Sequence, residues 1–259
     1  FCINSAKIIS LTIGNGVDPD TGFDSGLRTG GTAELATFAD FQRAAQEQFR
    51  NIGERAMACA NYFESFLGEV NPALFFSAAS VRALELGIDG YARGARYNNS
   101  NIWIQFPATA GDSLAAVRRV VYERRQLTLE EFCEALKQDW AGFEAIRNEI
   151  LNDPDRYGND RDEVDRPLVE LLETFARTFN GRANSRGGVY TTALHSASDF
   201  FQWAPWVGAT ADGRKRGDEL SKNISPVSGR NWAGVTALIN SALKFDTSLF
   251  AADFPVDLM

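Results

Sequence analysis

Apolar residues recur at three- and four-residue steps through the first two thirds of the chain and lose that period after about residue 185. Residues 3–13 form a short apolar run that reads as helix or strand. It closes at GNGVDPDTGFDSG, a loop punctuated by glycine, proline and aspartate. Thr37 with Asp40 then forms a cap. Behind it Phe41, Ala45, Phe49, Ile52, Ala56, Cys59, Phe63 and Phe66 make one helical stripe about seven turns long. Cys59 lies on that stripe and reads as core filler rather than nucleophile. Asn71-Pro72 ends the unit.

The stretch NIWIQFPA at 101–108 is aromatic and β-branched, and predicts a strand. Asp112 is the expected cap of a following helix with Leu114, Val117 and Val121 inward. Thr128 with Glu131 makes a capping box ahead of Phe132, Leu136 and Trp140, and Cys133 sits beside that stripe as a structural residue. A helix is expected over 162–179, with Val164, Leu168, Leu171, Phe175 and Phe179 on one face. Beyond 185, glycines, prolines and short apolar runs predict strands joined by ordered loops. Helices alternating with strands indicate an α/β fold. No repeat and no linker divides the chain, so residues 1–259 are read as one unit.

Composition changes little in this picture. With 44% hydrophobic and 23% charged residues the chain is an ordinary globular one, and its net charge of −8 gives no basic footprint for nucleic acid. No apolar run approaches the ~20 residues of a membrane span. The 3 cysteines are scattered and form no CxxC pair, and the single histidine rules out a His-rich metal site within the chain. That pattern fits a reducing cytoplasm, with neither membrane nor nucleic acid as partner.

Three motifs fall short of what their chemistry needs. Gly208 to Gly213 has the spacing of a phosphate loop, but no Gly-Lys-Ser/Thr follows and Arg214 stands in the lysine's place, so the segment reads as a tight turn with solvated cations. Gly14-Asn15-Gly16 lacks the third glycine of a dinucleotide loop. Asp18, Asp20 and Asp24 alternate without the glutamate of a calcium loop. The acidic runs Glu130-Glu131 and Asp160 to Glu163 sit at expected helix starts, where carboxylates oppose the dipole.

A series of blocks in fixed order carries more information. They are GARYNN at 94–99, GDSLAAVRRVVYE at 111–123, YGNDRDEVD at 157–165, SRGGVY at 185–190, VGATADGRKRGDEL at 207–220, NISPVSG at 223–229 and GVTALINS at 234–241. Together they resemble the glycyl radical enzymes, of which pyruvate formate-lyase is the type member. The resemblance implies part of a ten-stranded α/β barrel, this chain supplying the second half-barrel and its surrounding helices. It also implies radical cleavage of a C–C or C–heteroatom bond, or dehydration, of a small organic substrate by an anaerobic homodimer. In such enzymes a glycyl radical, installed by an S-adenosylmethionine iron–sulfur activating enzyme, generates a thiyl radical on a cysteine. Neither the Gly-Cys-Val/Ile-Glu loop nor the Arg-Val-x-Gly-Tyr loop occurs here. The chain therefore reads as an internal piece that binds no cofactor and is inactive alone. A non-catalytic chain whose partner supplies both loops is the alternative.

Within that resemblance His195, in YTTALHSAS, falls where many dehydratase-type members carry a substrate-facing tyrosine. It is the expected catalytic residue, for hydrogen bonding or proton transfer. Alternation sets Thr191, Ala193 and His195 on one strand face against Tyr190, Thr192 and Leu194. His195 is then expected to point inward near Trp103 and the strand leading to Asp257. Trp103, Gln105 and Asp257 are expected to bind substrate. Trp103, Trp203 and Trp206 read either as core or as stacking surfaces.

Overall fold

A sheet of three parallel strands organises the chain: β1 (Cys2–Asn4), β2 (Ser100–Gln105) and β3 (Tyr190–Ala193), in the order β1-β2-β3. The computed structural model describes residues 1–258. Cys2 pairs with Trp103, Asn4 with Gln105, Asn101 with Thr191 and Trp103 with Ala193. An isolated parallel bridge from Ala193 to Asp253 extends the same sheet. Parallel neighbours need crossover connections. Between β1 and β2 run α1 (Ser5–Ile13), α2 (Phe38–Val70), α3 (Leu74–Ala79) and α4 (Val81–Leu86). Between β2 and β3 run α5 (Pro107–Val117), α6 (Leu129–Lys137), α7 (Glu144–Leu151) and α8 (Asp162–Phe179). The short helices α9 (Asp199–Gln202) and α10 (Val235–Ala242) follow β3.

The helices cover one face of the sheet only. Ile3, Ile102, Ile104, Tyr190 and Thr192 are buried on the face that α1 and α8 cover, whereas Cys2, Asn101 and Trp103 on the opposite face are exposed. The main hydrophobic cluster runs from Ile3 to Phe250, and a small second one joins Phe106, Val207 and Leu220. Within the main cluster α2 crosses α8 closely. Phe49 stacks on Phe175 at 4.1 Å, and a Cβ on Gly53 would come within 2.5 Å of the Phe179 ring. Burying a ring such as Phe49 contributes about 2–3 kcal/mol.

Both expected capping boxes are present, on α2 and α6. The apolar run at 3–13 splits at Asn4, whose side chain accepts from Lys7 N at 3.0 Å and caps α1. The strand expected over 101–108 ends at Gln105. Phe106 takes a left-handed conformation (φ 59°), and Pro107, which has no N–H to lose, opens α5. Asp112 is therefore not a cap. It lies inside α5, buried, accepting from Tyr157 N at 2.8 Å and pairing with Arg156 at 3.2 Å. Past Val117 the helix widens into π turns over Arg118–Glu123.

Three further expectations are corrected. The stripe on α2 is buried only as far as Met57. Cys59 is exposed, and so is Phe63, because the 90–92 turn covers the far end of the helix on its Gly68 side and leaves these two residues open. After residue 185 the chain forms one strand, β3, and otherwise turns and short helices. Hydrogen bonds from buried side chains, not sheet pairing, hold those turns. Arg214 is the clearest case. It is 2% exposed rather than solvated. It donates to the carbonyls of Gly208 at 2.7 Å, Asp218 at 2.8 Å, Ala204 at 2.9 Å and Val207 at 3.1 Å. Burial holds its guanidinium below the ordinary arginine range, against the pull of Asp212 and Asp218.

Candidate functional site

The open face of the sheet gathers the polar and aromatic residues that the strands do not bury. His195 follows β3 by two residues, so strand parity puts it on the side of Thr191 and Ala193. Its backbone is fixed on both sides. Leu194 N donates to Asp253 O at 2.9 Å, and Ser196 N donates to Asn223 Oδ1 at 2.8 Å. Ser196 Oγ in turn accepts from the N–H of the left-handed Phe106 at 3.1 Å, which ties this strand end to that of β2.

The His195 ring lies 4.9 Å from the Trp103 ring, tilted by 48°. Its Nδ1 is 2.7 Å from Asp253 Oδ2. Trp103 is 37% exposed, so part of its indole stays open beside the imidazole. Thr191 Oγ1 donates to Asn101 Oδ1 at 2.8 Å on the same face. Cys2, opposite Trp103 in register, is exposed on this face too. Desolvation holds its thiol above the ordinary range, so it stays protonated.

The other expected site residues lie further from the pair. Gln105 is 4% exposed, and its amide donates to Asp199 at the start of α9. Asp257 does not bond to His195. Lys222 Nζ meets its Oδ1 at 2.8 Å and Asn223 Nδ2 donates to its Oδ2 at 2.8 Å. It is joined to His195 only through Asn223, which clamps the following residues. Trp203 and Trp206 are exposed at the end of α9 and the next turn, not in the core. Among the described residues no group of three or more His, Cys, Asp or Glu side chains could hold a metal ion.

Residues 1–200 match the family described as pyruvate formate lyase-like. The chain belongs to that family. Relatives in sequence include trans-4-hydroxy-L-proline dehydratase of Clostridioides difficile, 28% identical over 244 residues, covering 94% of this chain and 31% of the relative. A second is (2S)-3-sulfopropanediol dehydratase of Klebsiella oxytoca, 27% identical, with 95% and 30% covered. In structure the chain is similar to the B12-independent glycerol dehydratase of Clostridium butyricum, with TM-score 0.86 and 30% identity over 97% of this chain and 32% of that one. A glycyl radical enzyme of Archaeoglobus fulgidus gives TM-score 0.84 at 28% identity, with 96% and 31% covered. The three-stranded parallel sheet and its helical layer are thus part of a glycyl radical enzyme barrel. The chain spans about a third of the length of the relatives it matches. No helix among the described residues is long and apolar enough to cross a membrane.

Sequence reasoning missed Asp253, Asp199 and Asn223. Asp199 opens the four-residue helix α9 and Asn223 lies in a turn, and no periodicity marks either. Asp253 shares strand parity with Asp257 in ADFPVD, which makes it an equal candidate without choosing between the two.

Proposed function

We propose that in the whole protein this chain forms one wall of the substrate chamber of a glycyl radical enzyme that dehydrates a small hydroxylated molecule. The observation that carries the reading is the His195–Trp103 pair on the open, helix-free face of the sheet. A flat indole beside an imidazole offers a packing surface and a hydrogen-bonding group to one small molecule. Similarity to proteins named as dehydratases favours loss of water over acyl transfer.

The radical, carried by a glycine loop elsewhere in the polypeptide and installed by a separate iron–sulfur activating enzyme, supplies hydrogen abstraction. The residues of this chain bind and orient substrate, and His195 exchanges a proton with a substrate hydroxyl. Trp103 sets the substrate plane. Gln105 and Asp257 shape the rim through Asp199 and Lys222. Residues 1–259 act as one unit, within a cytoplasmic homodimer.

The test is His195→Ala in the whole enzyme. Turnover should fall roughly 10²-fold, the scale of one positioned proton-transfer group. The radical content, read by electron paramagnetic resonance, should stay unchanged because the radical resides elsewhere. Normal turnover in the variant would overturn the assignment of His195.

A further inference from the structure

We propose that Asp253 is a positioning residue for His195: it holds Nδ1 as the protonated nitrogen and so presents Nε2 as the free acceptor on the open sheet face. This role presupposes the reading of His195 as a proton-transfer group.

The geometry is built into the backbone. Asp253 bridges Ala193 in parallel register and its carbonyl accepts from Leu194 N at 2.9 Å. Its Cα is thereby fixed relative to β3 irrespective of its side chain. The carboxylate meets His195 Nδ1 at 2.7 Å and makes no other hydrogen bond among the described residues. An ionised carboxylate can only accept, so Nδ1 must donate. In a neutral imidazole the remaining lone pair is then on Nε2. The Trp103 ring at 4.9 Å limits rotation of the imidazole and helps hold Nε2 in one direction. Asp257, the acidic residue expected at this site, cannot play the part, because Lys222 and Asn223 already engage it.

The chain has 1 histidine, which makes a direct readout feasible. The protein carrying this chain is labelled with 15N-histidine, and the His195 ring nitrogens are identified by their loss in His195→Gln. Spectra are taken at about pH 8.5, where an ordinary imidazole is neutral. The wild type should show the Nδ1–H tautomer. In Asp253→Ala the tautomer should shift toward Nε2–H. Asp253→Asn, whose amide can either accept or donate, should give a mixture, and Asp253→Glu should restore Nδ1–H at least in part. An Nε2–H tautomer in the wild type, or an unchanged Nδ1–H tautomer in Asp253→Ala, would overturn the proposal. In the whole enzyme Asp253→Asn should lower kcat on the order of 10-fold or more with little change in KM. If the tautomer behaves as stated but His195→Gln retains full turnover, the positioning contact stands and the proton-transfer reading falls.

Discussion

Replacing Arg214 by leucine should destabilise the chain by about 3 kcal/mol, and the number can be worked from the carbonyls it serves. Four of them accept from the guanidinium. Ala204 O keeps a second donor, Gly217 N at 3.0 Å, and Asp218 is exposed and can turn to water. Gly208 O and Val207 O accept from no other group among the described residues, and both residues are buried. Each orphaned carbonyl costs about 1–3 kcal/mol. Removing a cation that burial already disfavours returns part of that loss. Arg214→Lys, which keeps the charge but has a single donor centre, should lose about half as much. A local probe exists. Of the 5 tryptophans only Trp140 is buried, and its Nε1 donates to Arg214 O at 3.3 Å. Guanidinium unfolding is followed through the blue-shifted emission of Trp140. A leucine variant whose midpoint and emission match the wild type would show that the loop stands without its buried arginine, and the reasoning would fail.

Asp18, one of three alternating aspartates that lack the glutamate of a calcium loop, accepts from Lys7 Nζ and Thr21 Oγ1, each at 2.8 Å. Burial pushes its carboxyl up, but these bonds and the Lys7 charge outweigh it and hold it below the ordinary carboxylate range. A depressed folded value means stability that is present at neutral pH and lost as pH falls below about 4. Asp18→Asn should therefore cost about 1–2 kcal/mol at pH 7 and flatten the acid limb of a stability-versus-pH curve, and an unchanged acid limb would count against the pairing. Tyr62, Phe63, Leu74, Val81 and Leu84 are exposed on the far end of α2 and on α3 and α4, with Phe75 at 94%. The chain on its own should self-associate through this surface. Sedimentation velocity should show the associated species dispersing in Phe75→Ser/Leu84→Ser, and a monodisperse wild-type monomer would refute it.

What the sequence disclosed follows the range of the interactions involved. The capping boxes of α2 and α6 and the stripe of α8 depend on residues three or four apart, and they appear where expected. Ile102 and Ile104 against Trp103 likewise follow from period two. The failures all lie where a distant group decides. Asp112 has the chemistry of a cap, but Arg156 and Tyr157 draw it into the core. Arg214 has the chemistry of a surface cation, but four carbonyls at 204–218 converge on it. Cys59 fits the apolar period of α2, yet that period says only which side of a helix is apolar, not whether anything covers it. The site divides in the same way. Parity alone places His195 on the face of Trp103, since Trp103 pairs with Ala193 two residues before it. Nothing local selects Asp253 over Asp257, because both lie on the same parity of one extended segment. The choice is made by the register of the Ala193–Asp253 bridge, a contact across 60 positions fixed by the register in which this segment meets β3. A slip of that segment by two residues would keep the apolar pattern intact and still separate the carboxylate from the imidazole. The His195–Asp253 contact is therefore a property of register, and the tautomer of the single histidine measures that register directly.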